Sequence, residues 1–421
     1  MIILCHMKNS GQNIRLFTKA FFSIYIFIYV FPFPISYVPY GYLFITRHLD
    51  WVKGQLNLLF AKKVFGINDI IFNPMNGSGD TTLDYVALAS YSIIALATAV
   101  LLVLLVSGKI DKLYSFMLTY ARYFVGLTLI SYGVVKFLIG QFPGPSYFSL
   151  ESTFGDFSPM GLAWRFFGYS DLYKGFMGVA EILAGFLLLI RRTKVLGALI
   201  TISVTVNIFL VNLSFDVPVK LFSGHLLFFS ILIVFPYISK LASFFLLHQP
   251  AQISDDRYTF DKKWKRLIYI SIKVILIVLL PITMVTSHVA SQKMRVYLNE
   301  WEGIYDVQST SSLTEHSMDS LLSIQKIIVQ GKSIMTVDSH KSKQYYTIDN
   351  IWNEGEINFI KDGDQEDPFT LFISEKENLD FLISWKMDGA NVEYITKRKL
   401  KQDYLLVNRG FHWINEIPFN R

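Results

Sequence analysis

Long apolar blocks constrain this chain more than any other feature of its sequence. Seven of them run over 16–37, 84–107, 117–140, 172–190, 195–214, 221–246 and 266–287. A helix needs about 20 mainly apolar residues to cross the hydrocarbon core of a bilayer. In that core only helices and closed barrels satisfy their backbone N–H and C=O groups. The sequence therefore predicts a membrane all-α bundle of about seven transmembrane helices. Pro32, Pro34 and Pro39 are expected to end or kink the first helix. Its apolar run is long and no small-residue cleavage motif follows, so it reads as an uncleaved anchor. Composition agrees, with 52% of the 421 residues hydrophobic and only 17% charged, against about 25% charged in soluble domains.

Charge then fixes an orientation. Lys8, Arg15 and Lys19 precede the first block, and Lys109 and Lys112 follow the second. Arg191, Arg192 and Lys194 follow the fourth, and Arg257, Lys262, Lys263, Lys265 and Arg266 precede the seventh. These segments share one side, and the positive bias makes that side cytoplasmic. The N-terminus is then inside and the C-terminal segment outside, which for a bacterial inner membrane is the periplasm. The net charge of +6 arises at block ends rather than as a basic stripe on a soluble face, which speaks against nucleic acid as a partner. The lipid bilayer is the partner the composition requires. The single cysteine, Cys5, rules out an intrachain disulfide or a cysteine metal site.

Residues 288–421 change character. Short runs such as QKIIVQ, SIMTVDS, FTLFIS and NVEYITKR alternate apolar and polar residues, the period of antiparallel strands. Roughly eight such strands, with Asp362-Gly363 and Asp388-Gly389 as turn signals, predict a small barrel or sandwich. The segment 313–322 reads as a short helix. The tail RGFHWINEIPFNR (409–421) is too apolar to be left in water, and is expected to pack against the β domain or the membrane domain, 409–414 as a last strand. The divisions expected are 1–115 (two helices and an outer loop), 116–246 (four helices), 247–287 (basic loop and last helix) and 288–421 (periplasmic β domain).

Polar residues inside the apolar blocks are the first candidates for function. Lys136, Glu181, Asn207, Asn212 and His225 lie in them, and an ionisable group at a helix centre costs roughly 2.5–3.5 kcal/mol on insertion scales. With the orientation above, all five fall at mid-depth or toward the outer side, as if lining an enclosed polar chamber. Glu181, Lys136 and His225 are the candidate catalytic groups. For Glu181 two readings are open: a proton-handling carboxylate, or an ion-paired clasp that fixes helix packing. Small residues around it (Gly175, Gly178, Ala180, Ala184, Gly185) allow close helix approach or leave room for a ligand. Asn207, Asn212, Asp216 and Lys220 are candidate ligand-binding residues. Asp80, in the GSGDTT loop before the second block, and Arg165, in the aromatic loop 141–171, complete that set. The loop lacks the lysine of a nucleotide P-loop and suits helix capping or an anion. No metal site is legible, because His48, His225 and His288 are scattered.

Blocks three to six carry ARYFVGLTLISYGVVKFL, GFMGVAEILAGFLLLIRRTKVLGALI and FLVNLSFDVPVKLFSGHLL. This region resembles the DoxX-like family of four-helix bacterial membrane proteins, with Arg122, Lys136, Gly178 and Glu181 at its motif positions, and the whole chain is similar to the longer Bacteroidetes-type forms. The resemblance implies a four-helix core over 116–246. It also implies an accessory subunit of a redox or quinone-linked membrane system, with quinone as a possible cofactor. The chain has no haem CxxCH motif and no dinucleotide fingerprint, so whether it is itself an enzyme stays open. Three other readings stand beside this one. They are a membrane-anchored interaction protein whose β domain recruits a periplasmic or membrane partner, a transporter, and, by architecture alone, a carboxylase-like enzyme.

Overall fold

The computed structural model describes residues 10–35, 45–70, 77–136, 140–250, 262–275, 301–313, 319–352, 356–361, 369–376, 380–387 and 390–419, with isolated positions at 278, 282 and 286. The chain divides into two compact units. One comprises 1–141 with 171–287, the other 142–170 with 288–421. The stretch 116–246 read as one core is thus interrupted, because its loop 142–170 belongs with the β domain.

The first unit is helical: α1 (Ser10–Val30), α2 (Arg47–Lys63), α3 (Thr82–Val106), α4 (Ile110–Val134), α5 (Asp171–Leu189), α6 (Lys194–Ser214), α7 (Lys220–Val234), α8 (Ile238–Phe245) and α9 (Lys263–Val274). Among the described residues five stretches are long and apolar enough to cross a membrane, which makes the chain a membrane protein. One of them, Thr82–Val134, holds two of the expected spans and reverses at Ser107–Lys109. The reversal is visible through α1. Lys19 pairs with Asp111 and Tyr120 donates to the Phe33 carbonyl, so α1 and α4 run parallel. Ala20 and Ala99 share a small cluster with Ile110, and Lys53 lies near the rings of both Phe31 and Tyr91, so α3 runs the other way. The seventh block is described only at its start, in α9, and the rest of 266–287 lies outside the described residues apart from isolated positions.

Small residues set the tightest packing. A Cβ on Gly133 would come 2.6 Å from the Gly178 carbonyl oxygen, and one on Gly185 2.5 Å from that of Gly126. Helices α4 and α5 therefore meet backbone to backbone, as small-residue interfaces do in lipid. In turn α5 packs on α6, α6 on α7, and α7 on α4, which closes a four-helix ring. The faces left over are apolar: Leu96, Leu101, Leu104 and Leu105 of α3 are exposed, as lipid-facing positions should be. Helix α2 falls where the sequence was read as an outer loop. It buries Gly54, Asn57 and Ala61, and Ser90 of α3 donates to the Asn57 side chain at 3.1 Å.

The second unit is an antiparallel meander that closes into an eight-stranded barrel. Its strands are β1 (Gly303–Ser312), β2 (Ile324–Gln330), β3 (Ser333–Asp338), β4 (Lys343–Trp352), β5 (Glu356–Lys361), β6 (Phe369–Glu375), β7 (Asp380–Met387) and β8 (Ala390–Lys399). Closure comes from β1 pairing with both β2 and β8, with an irregularity between Val307 and Ser309 on the β8 side. Alternation sends Tyr305, Ile327, Val329, Ile334, Trp385 and Tyr394 inward. It sends Ile304, Ile328 and Met335 outward, yet these are also buried, under Tyr147. The strap 142–170 thus covers the outer face of β1–β3. Each such aliphatic burial is worth about 1.5–3 kcal/mol. The strap is pinned by polar contacts as well: the Tyr147 backbone N–H donates to the Gln330 side chain at 2.7 Å, and Glu151 accepts from Lys326 and Tyr404. Both Asp-Gly turn signals lie outside the described residues. Leu405–Asn408 forms a short helix. The tail does not form a strand or pack away: Phe411, Trp413, Ile414 and Ile417 are all more than three-quarters exposed.

Candidate functional site

The polar residues of the helical unit form separate sets rather than one chamber. The first joins α4 to α5. Lys136 donates to Glu181, with Nζ 2.8 Å from Oε1 and 2.9 Å from Oε2. Both side chains are buried, at 8% and 3% exposure, and the Tyr132 ring lies 5.6 Å from the ammonium. Neither residue is stranded in hydrocarbon, since each neutralises the other across the close α4–α5 interface.

The second set joins α6 to α7. Asn212 donates to Ser223 Oγ at 2.9 Å, and Ser223 Oγ in turn donates to the Val219 carbonyl at 2.9 Å. Asn207, five residues earlier on α6, is exposed. The connection between these helices is tied by the GSGDTT loop. The Asp80 carboxylate accepts the backbone N–H groups of Lys220 and Leu221 at 2.8 and 2.9 Å. Asp80 therefore caps α7, while Thr81 and Asp84 form the capping box of α3. The N-terminus of α7 is already occupied by this carboxylate. Lys220 Nζ stands 2.7 Å from Asp216 and 3.7 Å from Asp80. Arg165 belongs to the strap, on the helix Pro159–Tyr169. There it donates to the Gly161 carbonyl at 2.8 Å and covers the Phe157 ring at 3.9 Å.

The third set surrounds His225, one turn into α7. Its Nδ1 lies 2.6 Å from the Leu221 carbonyl oxygen. A carbonyl can only accept, so Nδ1 carries the hydrogen. In the neutral ring Nε2 is then an acceptor, and it takes the Tyr25 hydroxyl proton at 2.7 Å. The imidazole lies flat on Tyr29, with centroids 3.9 Å apart. Beside it is a partly open cavity of about 470 Å³, within the size range of small-ligand sites. Phe21, Phe22, Tyr25, Phe209, Phe228 and His225 line it, with Ser92 and Lys220 at its polar points. No lining residue comes from α4 or α5, so Lys136 and Glu181 are not part of it. The residues that sequence reasoning missed are Tyr25 and Tyr29. Their spacing, Tyr-x3-Tyr in an apolar helix, puts both on one face, but a partner 200 positions away was not legible.

Among the described residues no group of three histidine, cysteine or carboxylate side chains is placed to hold a metal. In the second unit Glu151 is a strongly engaged carboxylate. Burial opposes its ionisation, but the hydrogen bonds from Lys326 and Tyr404 and the charges of Lys326 and Lys399 prevail and hold it below the usual carboxylate range.

Fold and site together define a helical membrane protein with an aromatic cavity among its spans and a second, β-barrel unit. No family model matches the chain, and no solved structure does. A stretch of 99 residues, 24% of the chain, is 44% identical to a Bacillus subtilis protein that bears the name uncharacterized protein YwoB. The chain spans 62% of the length of that relative.

Proposed function

We propose that the helical unit binds a lipid-soluble ring compound of the quinone class in the cavity beside His225, and that the chain is a DoxX-like accessory subunit of a quinone-linked system in a bacterial inner membrane. The Tyr25–His225 pair carries this reading. The hydrogen bond of Nδ1 to Leu221 fixes the tautomer, so the Tyr25 hydroxyl donates a hydrogen bond to Nε2 and keeps its oxygen lone pairs for a ligand hydroxyl. A quinol O–H satisfies that acceptor. Tyr25 and His225 would hold that hydroxyl at the wall of the cavity. Aromatic rings from α1, α6 and α7 supply the apolar slot. In this reading Lys136–Glu181 is the clasp that holds α4 to α5, and the strap and barrel are periplasmic, a location supported by the Lys and Arg bias of the connections.

The test is equilibrium binding of a quinol analogue to the purified full chain. Tyr25→Phe removes one hydrogen bond, about 0.5–1.5 kcal/mol, and should weaken quinol binding several-fold, while Glu181→Gln leaves it alone. Unchanged affinity in both Tyr25→Phe and His225→Phe would remove the assignment.

A second reading is favoured by the exposed apolar tail. Phe411 and Trp413 meet edge to face at 5.0 Å, and Arg409 holds Asn415 at 2.7 Å, so the tail is organised and still presents its apolar side chains outward. That suits recruitment of a partner by the barrel unit. Crosslinking from position 412 in intact cells, with and without Trp413→Ser, tests it; an identical adduct pattern would speak against recruitment.

A further inference from the structure

At the end of the bundle where α5 finishes, the cations Arg122 and Lys273 have no carboxylate within 4.0 Å among the described residues. Arg122 on α4 is only 7% exposed, and its Nε–H is buried with no acceptor. A guanidinium edge shut away from water without a partner is costly. Its level is set by the packing above it: a Cβ on Gly126, one turn further along α4, would meet the Leu189 side chain at 3.1 Å. Arg122 is therefore level with the last turn of α5. At that turn Lys273 of α9 donates to the Leu189 carbonyl at 3.2 Å. The two helices that carry these cations are joined by the hydroxyls of Tyr123 and Tyr269, Tyr123 adjoining Arg122 in sequence and Tyr269 standing one helical turn before Lys273. The same end of α5 continues into Arg191 and Arg192.

We propose that Arg122 and Lys273 form a binding site for the phosphate of an anionic phospholipid, seated between α4, α5 and α9. A headgroup phosphate supplies acceptors for the guanidinium edge and charge for the ammonium, at the depth where headgroups meet a span end, and basic pockets between spans take such lipids. A tyrosine pair at the same level suits the interface. The quinone-class reading is not needed for this site, which shares no residue with the cavity beside His225.

The experiment is thermal unfolding of the purified full chain in mixed micelles. Phosphatidylglycerol should raise the unfolding temperature by several degrees over phosphatidylcholine, and inorganic phosphate at equal concentration should not. Arg122→Gln should abolish the phosphatidylglycerol shift and Lys273→Gln should remove most of it, while Lys262→Gln, at an exposed lysine just before α9, leaves it intact. If Arg122→Gln does not fold, Lys273→Gln carries the test. Equal shifts with the two lipids, a full shift with inorganic phosphate, or a full phosphatidylglycerol shift in Lys273→Gln would each overturn the proposal.

Discussion

A buried ion pair in a membrane bundle invites a catalytic reading, and the distances around Lys136 and Glu181 argue for a mechanical one. Both carboxylate oxygens lie within 2.9 Å of the same ammonium, so each buried charge is met by the other. Removing one partner strands the other. Glu181→Gln is expected to cost about 3–5 kcal/mol of stability, read as a lower unfolding temperature in detergent. Replacing both by hydrophobic residues of similar volume, Lys136→Met with Glu181→Leu, should recover most of it while quinol binding persists. Loss of binding in a stable double variant would mean the pair takes part in ligand chemistry after all. Asp80 makes a smaller but similar case. It caps a helix distant in sequence, so Asp80→Ala should cost about 0.5–2 kcal/mol and loosen α7, detected as faster amide exchange at Lys220 and Leu221.

At the scale of elements, glycines decide which helices touch. Gly133→Ala would drive a methyl group to 2.6 Å from the Gly178 carbonyl, whereas a Cβ on Gly108, in the α3–α4 reversal, meets nothing within 4 Å. The first substitution is expected to part α4 from α5 and lower stability, and the second to leave packing unchanged; equal melting of the two variants would contradict this account of the interface. The apolar blocks were legible because hydrocarbon demands length and hydrophobicity, which are local properties of sequence. Helix α2 was not legible, since a 17-residue helix with Lys53, Lys62 and Lys63 reads as a polar loop until Asn57 finds Ser90. Strand alternation was legible too, but the choice of barrel over sandwich was not, because closure rests on β1 meeting β8 across the whole domain. His225 could be singled out as a polar group in an apolar block. Its role could not, because that depends on Tyr25.

For the molecule as a whole, the strap is the feature that sequence order concealed. A loop between two spans behaves as part of a domain that starts more than a hundred residues later, and Tyr147 and Phe148 of that loop pack on Ile304, Ile328 and Met335. A fragment limited to 288–421 would expose that face, and should therefore aggregate or bind hydrophobic dye where the full chain does not. The strap also carries a pH dependence. The Glu151 carboxyl is held below its ordinary range in the folded state, so its contribution is complete above the unfolded value of about 4.3 and is lost as pH falls through the lower folded value. Lys326 is displaced upward: burial opposes its charge, but Glu151 prevails. Its contribution is lost only as pH rises beyond about 10.4. Hydrogen exchange over 142–170 should thus stay slow from neutral pH down to mildly acidic pH and quicken in strong acid. Glu151→Gln should be less protected at neutral pH and lose less of its protection on passing into strong acid. The central claim, that the ligand cavity belongs to His225 and Tyr25 and not to the Lys136–Glu181 pair, is tested most directly by photolabelling the reconstituted full chain with an azido-quinone and mapping the adducts. Saturable labelling of α1 and α7 peptides around Tyr25 and His225 is the predicted result, and saturable labelling confined to α4 and α5 would contradict it.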